Sequence, residues 1–230
     1  MRTTLVAVTL AMLGTAGVAH AAGWQGPISD ETAGTWCGPS NEGVNGFDCQ
    51  GSYCDNVWIR CEPMPFGMSM ASYSWSDFYS EEDSGFGQSA SHGWYGSDLS
   101  YSEVCHWRGA PSIMTGIRCN GGHCDNISIE CGRPTMNVGG TAESIELDNC
   151  FWTGPRSEEQ PPLHLGVREF ISGITCYGSN CDDKTFYVCE AAAPGNSCVD
   201  RCGGQAPDAC WCDGLCSTYG DCCDDYAGAC

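Results

Sequence analysis

Apolar positions along this chain fall into short alternating runs, and the same arrangement occurs three times. Gly46 to Cys61 reads GFDCQGSYCDNVWIRC, Gly116 to Cys131 reads GIRCNGGHCDNISIEC, and Gly173 to Cys189 reads GITCYGSNCDDKTFYVC. In each, two alternating stretches of strand length flank a bend, which is the pattern of a β-hairpin with one buried face. The common frame is Gly-apolar-x-Cys-x-Gly-x-x-Cys-Asp-Asn/Asp, with a third Cys seven or eight positions after the second. No helical period persists over a comparable window. The chain is therefore expected to be mainly β and disulfide-rich, with three hairpin repeats. Pseudo-threefold packing and a row of small modules both accommodate them.

A second element precedes each hairpin. It is Trp-x-x-x-x-Ser-acid-Glu, beginning at Trp24, Trp75 and Trp152. From its serine to the first hairpin cysteine is 20, 39 and 19 residues, so the middle copy carries an insertion. That insertion, SGFGQSASHGWYGSDLSYSE, has the composition of a surface loop. Equivalent placement makes Trp24, Trp75 and Trp152 core candidates. Cys37 and Cys105 lie 12 and 14 residues before their cysteine triplets, whereas the third copy has His164 near that place and Cys150 farther upstream. The repeat motif resembles repeats of secreted bacterial and eukaryotic proteins for which no activity is known.

The chain opens with one Arg, an apolar run from Leu5 to Ala19 and the small residues Ala19-His20-Ala21, the signature of a signal peptide over residues 1–21. The expected order is the signal, a repeat domain over 22–190, a linker over 191–197 and a small domain over 198–230. Export makes the 20 cysteines read as disulfides, because thiols outside the cytosol oxidise and the count is even. A chain with 29 acidic and 9 basic residues lacks the basic face that nucleic acid or an anionic membrane requires. No membrane insertion is expected. Cations, basic proteins and neutral sugars remain compatible.

The last residues run SCVDRCGGQAPDACWCDGLCSTYGDCCDDYAGAC, from Ser197 to Cys230. Zinc favours Cys-x2-Cys pairs with His partners, and a redox centre favours Cys-x-x-Cys beside a βαβ unit; neither pattern occurs here. A segment this short cannot bury enough apolar surface to fold without staples. Its cysteine spacing, together with Arg201, Asp213, Leu215 and Asp225-Tyr226, resembles a somatomedin B domain. The resemblance implies a stapled knob with a one-turn helix and the pairs Cys198–Cys212, Cys202–Cys230, Cys210–Cys223 and Cys216–Cys222. It also implies a protein-binding surface around the fifth cysteine, at Asp213, Leu215 and Tyr219. In the family, that surface meets a serpin-class inhibitor and the urokinase receptor. Thr218 stands where a second tyrosine is expected, which removes one large contact. The alternative reading is that Leu215 and Tyr219 cover the disulfide core.

Other chemistry is thinner. His92, His106, His123 and His164 sit in no catalytic frame, and no phosphate loop or dinucleotide fingerprint appears. No catalysis and no bound cofactor are expected. Asp55, Asp125 and Asp182 follow the middle cysteine of each copy, and Asp30-Glu31, Glu81-Glu82 and Glu158-Glu159 follow each Trp. If the two elements meet, their oxygens can gather for calcium; turn and cap chemistry accounts for the same residues. Trp58, Trp94, Tyr95 and Trp107 are the aromatics a sugar could stack on. The reading is a secreted, extracellular, non-catalytic protein-binding or adhesion protein. Carbohydrate recognition by the repeats and a structural coat or matrix role are the alternatives.

Overall fold

The computed structural model describes residues 23–78, 80, 102–107, 110–138, 140–177, 179–195, 197–199, 201–208, 210–223 and 226–230. The signal segment and most of the middle insertion, including His92, Trp94 and Tyr95, lie outside the described residues. So does the acid pair Glu81-Glu82.

Three units follow one plan. The first has an outer strand β1 (Trp24–Ile28), a short strand β2 (Thr35–Trp36) and a hairpin of β3 (Glu42–Gln50) and β4 (Asn56–Pro63). The second has β5 (Ser69–Trp75), β6 (Ser102–Val104), a minor ribbon of β7 (His106–Trp107) and β8 (Ala110–Pro111), and the hairpin β9 (Ile113–Asn120) with β10 (Asn126–Val138). Strand β10 overruns its hairpin and turns into β11 (Thr141–Ser144). The third has β12 (Leu147–Trp152), β13 (Leu163–His164), β14 (Glu169–Tyr177) and β15 (Asp183–Ala191). The outer strand of each unit pairs antiparallel with the second hairpin strand: β1 with β4, β5 with β10, β12 with β15.

The short strands do something the sequence pattern does not announce. Each is lent to the next unit. β2 pairs with β9 of the second unit, β6 with β14 of the third, and β13 with β3 of the first. The exchange closes on itself, so the architecture is a pseudo-threefold ring rather than a row. Equivalent hydrogen bonds mark the symmetry. Cys37 N–H donates to Thr115 O at 2.8 Å, Cys105 N–H to Ser172 O at 2.6 Å, and Leu165 N–H to Asn45 O at 3.1 Å. Leu165, one residue past His164, therefore occupies the place of Cys37 and Cys105 in the third unit.

The repeated glycine at the head of each hairpin frame admits the lent strand. A Cβ on Gly46 would sit 2.7 Å from Leu163 O, and one on Gly116 would sit 3.0 Å from Thr35 O. Any side chain there would push the incoming strand away. Disulfides then tie the units. Cys37–Cys61 and Cys105–Cys131 return each lent segment to its own hairpin. In the third unit, Cys189 pairs instead with Cys150 on the outer strand.

The inner faces of all three hairpins share one core, which includes Phe47, Val57 and Ile59, then Ile117, Ile127 and Ile129, then Ile174, Phe186 and Val188. Phe47 and Phe186 meet across units with ring centroids 4.6 Å apart. A second cluster, rich in methionine, gathers Met64, Met68, Met70 and Met136 around Ile113 and Phe170 at the other end of the hairpins. Val199 of the C-terminal segment packs against this second cluster. Trp24, Trp75 and Trp152, expected in the core, are only half-buried, because each lies on an outer strand of its sheet. No described helix is long and apolar enough to cross a membrane.

Candidate functional site

The C-terminal knob has almost no apolar interior. Its buried cluster consists of Cys198, Ala206, Cys212 and Cys223, edged by Cys210, Tyr226 and Ala229. Four disulfides hold it: Cys198–Cys212, Cys202–Cys230, Cys210–Cys223 and Cys216–Cys222. Across the chain no cysteine is free, so the close group Cys198, Cys212 and Cys223 offers no thiolate to a metal.

Two helices of one turn each, α1 (Cys216–Tyr219) and α2 (Tyr226–Ala229), are the knob's regular elements. Asp213 sets the start of α1. Its Oδ1 accepts the backbone N–H of Leu215 at 2.9 Å and of Cys216 at 3.0 Å, satisfying donors that a helix start leaves open. Gly220 ends the turn in a left-handed conformation, φ 75°, which a residue with a Cβ adopts only with strain. The strand-like backbone of Trp211 runs alongside, donating to Asp221 O at 2.8 Å and accepting from Cys223 N–H at 3.1 Å.

These restraints push apolar side chains outward. Leu215 is 60% exposed and Tyr219 75%, so neither covers the disulfide core. With Trp211, Asp213, Cys216 and Asp221 they line a hollow of about 310 Å³. The result is an apolar and aromatic hollow with two carboxylates in its lining, on a knob held by four disulfides. Trp211 and Asp221 belong to this surface as much as Asp213, Leu215 and Tyr219 do. The sequence signal for them was available: Trp211 lies between two staple cysteines, where a small protein has no core to receive an indole.

The knob is not on a loose tether. Strand β15 extends to Ala191, which is fully buried and donates to Arg168 O at 2.8 Å. From there Arg201 gathers the connecting segment. Its guanidinium donates to Pro194 O at 2.6 Å, Ser197 O at 2.9 Å and Ala193 O at 3.2 Å. A crevice of about 450 Å³ remains between the knob and the ring edge, lined by Glu143, Glu146, Asp148 and Asp208 among others.

In the ring, the repeated acids sit at the end where the bends meet. Each middle cysteine is fully buried, and its sulfur rests on a carbonyl of the neighbouring unit. Cys54 Sγ lies 3.3 Å from Asp182 O, Cys124 Sγ 3.5 Å from Asp55 O, and Cys181 Sγ 3.0 Å from Asp125 O. The bends are drawn tight by Cys49–Cys54, Cys119–Cys124 and Cys176–Cys181. Gly121 suits that bend because its φ of 77° lies in the left-handed region, and a Cβ there would also displace the Asp125 carboxylate. The Asp125 carboxylate accepts from the Asn126 side chain at 2.7 Å, which is turn chemistry.

The two acidic elements meet in the third unit, where Glu158, Asp182 and the sulfur of Cys54 lie within 4.8 Å of one another. Burial pushes the Asp182 carboxyl up to about 6, helped by its hydrogen bond with Glu158 and the like charges of Glu158 and Asp183, against the pull of Lys184. Glu158 is lowered, first by a bond from its own backbone N–H and then by Asp182, the Tyr53 N–H and Lys184, against its burial. This set does not suit calcium, which takes six to eight oxygens. The sulfur is disulfide-bonded, and a buried ammonium stands beside the pair. Of the aromatics expected to meet sugars, Trp58 is 7% exposed and packs under Gly26, leaving no face for a sugar ring.

No curated protein and no solved structure matches the chain. The knob is accounted for: residues 196–230 match the family model of the Somatomedin B domain.

Proposed function

We propose that this is a secreted, non-catalytic binding protein whose knob grips an extracellular protein through the hollow formed by Trp211, Asp213, Leu215, Tyr219 and Asp221. Somatomedin B domains mediate extracellular protein interactions. The observation that carries the reading is the outward placement of Leu215 and Tyr219 on a disulfide-locked turn. A folded domain this small gains stability by burying such side chains, and exposed aromatic anchors held rigid are what binding hot spots require.

Charge selects the partner's chemistry. Asp213 and Asp221 border the hollow, and the chain's formal net charge is −20. The surface therefore fits a protein segment presenting Arg or Lys beside an apolar group, with the cation over Trp211 and the carboxylates at its sides. Thr218, exposed beside Tyr219, narrows the contact on that flank, and Trp211 supplies an aromatic on the other.

Selection of a displayed protein-segment library on the mature chain tests this. Binders should carry Arg or Lys next to apolar residues, and Leu215→Ala and Tyr219→Ala should each weaken them more than about tenfold. Binders whose affinity survives both substitutions would refute the proposed surface.

A further inference from the structure

The three hairpins are alike at almost every inward position, and the exception is a charge. Strand register pairs Cys49 with Val57, Cys119 with Ile127, and Cys176 with Lys184. Lys184 thus stands where the other two units place Val and Ile in the core. It is the chain's only lysine and it is fully buried. Its ammonium donates to Cys181 O. An isolated ammonium in such a place would be expelled or neutralised, so its surroundings must carry compensating groups.

Those groups are Glu158 and Asp182. Glu158 comes from the segment that precedes β13, the strand lent by the third unit to the first. It is fixed there by the paired backbone of Arg156 and Lys184, 2.7 Å and 2.8 Å. The Tyr53 N–H in the first unit helps to lower Glu158, whose carboxylate lies within 4.8 Å of the Cys54 sulfur of that unit. Asp182 touches the same unit, its carbonyl against Cys54 Sγ. In the first unit, where Val57 replaces the lysine, the matching acid Asp30 is exposed to solvent. The acid turns inward where the lysine is.

This junction is also where the ring lacks a bond that the other two junctions have. Lent segments of the first and second units are tied back by Cys37 and Cys105; the third has Leu165 at that place. We propose that Glu158 and Asp182, brought together beside the buried Lys184 where the third unit meets Cys54 of the first, form a pH-sensitive latch that holds the third unit against the first.

The sign follows from Asp182. Its folded-state value of about 6 lies above the ordinary 3.8, so its contribution is fully present below 3.8 and is lost as pH rises through 6. Glu158 is shifted the opposite way from 4.5, so its contribution is present above 4.5 and fades as pH falls. The latch is tightest in mild acid, with Glu158 ionised and Asp182 protonated, and looser at neutral pH, when both are charged. The groups acting on the pair are Asp183 and Lys184 on β15 and the Tyr53 N–H from the first unit.

Amide hydrogen exchange at Tyr53, in the mature chain with its disulfides intact, reads the latch directly. Corrected for intrinsic rate, opening in the wild type should rise on the order of tenfold between about pH 4.5 and 7. Asp182→Asn, neutral at every pH, should abolish that step. Lys184→Val, which installs the first unit's residue, should move the midpoint upward, since the ammonium that favours the carboxylate is gone. A wild type without the step, an Asp182→Asn variant that keeps it, or a Lys184→Val variant with an unmoved midpoint would each overturn the proposal. If Asp182→Asn does not fold, the Lys184→Val midpoint decides.

Discussion

The ring and the knob reach stability by opposite routes. The ring pools the inner faces of three hairpins into one core, with residues such as Phe47, Ile59, Ile117, Ile129, Ile174 and Phe186 almost wholly removed from water. The knob buries four half-cystines, Cys198, Cys212, Cys216 and Cys223, with Ala206, and leaves the large apolar side chains Leu215 and Tyr219 outside. In the ring, disulfides decorate a structure that hydrophobic burial already favours. In the knob they are the structure. A domain held by covalent bonds can therefore leave its aromatic residues on its surface for binding, and one held by a core cannot.

Removing a disulfide should separate the knob from the ring most strongly. Cys198→Ala with Cys212→Ala opens a closure of 14 residues through the centre of the knob, worth about 3 kcal/mol of unfolded-state entropy. A domain with so little core has no reserve of that size. The knob should lose its fold outright, seen as collapse of its amide dispersion, while the ring's signals stay. Removing Cys119–Cys124 from the ring, a closure of 5 residues, is worth about 2 kcal/mol on the same scale and should only lower the ring's melting temperature.

Core truncation reverses the roles. Phe186 is fully buried and packs on Phe47 across the junction of two units. Phe186→Ala should destabilise the ring by about 3–5 kcal/mol, the sum of lost transfer energy and an unfilled cavity. Denaturant unfolding of the disulfide-intact chain measures it, and the knob's transition should not move. A shift in both would mean that the two parts unfold together.

What could be read beforehand divides along the same line. The knob was legible because its cysteine spacing resembles a somatomedin B domain, and the resemblance implied the pairing; whether Leu215 and Tyr219 cover the disulfide core or face outward was open in the sequence and is answered by their exposure. The hairpins were legible because their alternation and bends repeat. Closure of the ring was not, because the lent strands Thr35–Trp36, Ser102–Val104 and Leu163–His164 are too short to show a period. For the same reason counting back from the cysteines overshoots Leu165 by one residue, to His164. Counted from the second cysteine of each frame, Lys184 falls level with Val57 and Ile127, but alignment alone does not say that the ammonium stays in the core. The half-burial of Trp24, Trp75 and Trp152 was equally invisible, since recurrence marks a structural role without saying which face of the sheet fulfils it.

The smallest effect concerns the joint between the two parts. Composition alone made the segment after β15 a linker, but Arg201 reaches back from the knob to three of its carbonyls, at Ala193, Pro194 and Ser197. A planar guanidinium can serve several acceptors from one position, and hydrogen bonds from a charged donor are worth about 1.5–3 kcal/mol where they are shielded. These are half-exposed, so Arg201→Ala should cost about 1 kcal/mol, toward the lower end for such groups. Neither the ring nor the stapled knob depends on them, so both melting transitions should stay nearly in place. The change should appear instead as proteolytic cutting between Ala192 and Ser197, slow in the wild type and faster in the variant. Arg201→Lys should behave like the alanine variant, because a single ammonium cannot span carbonyls that the guanidinium reaches with two nitrogens. Equal cutting rates in all three proteins would mean that Val199, packed on the methionine cluster, fixes the joint without the arginine.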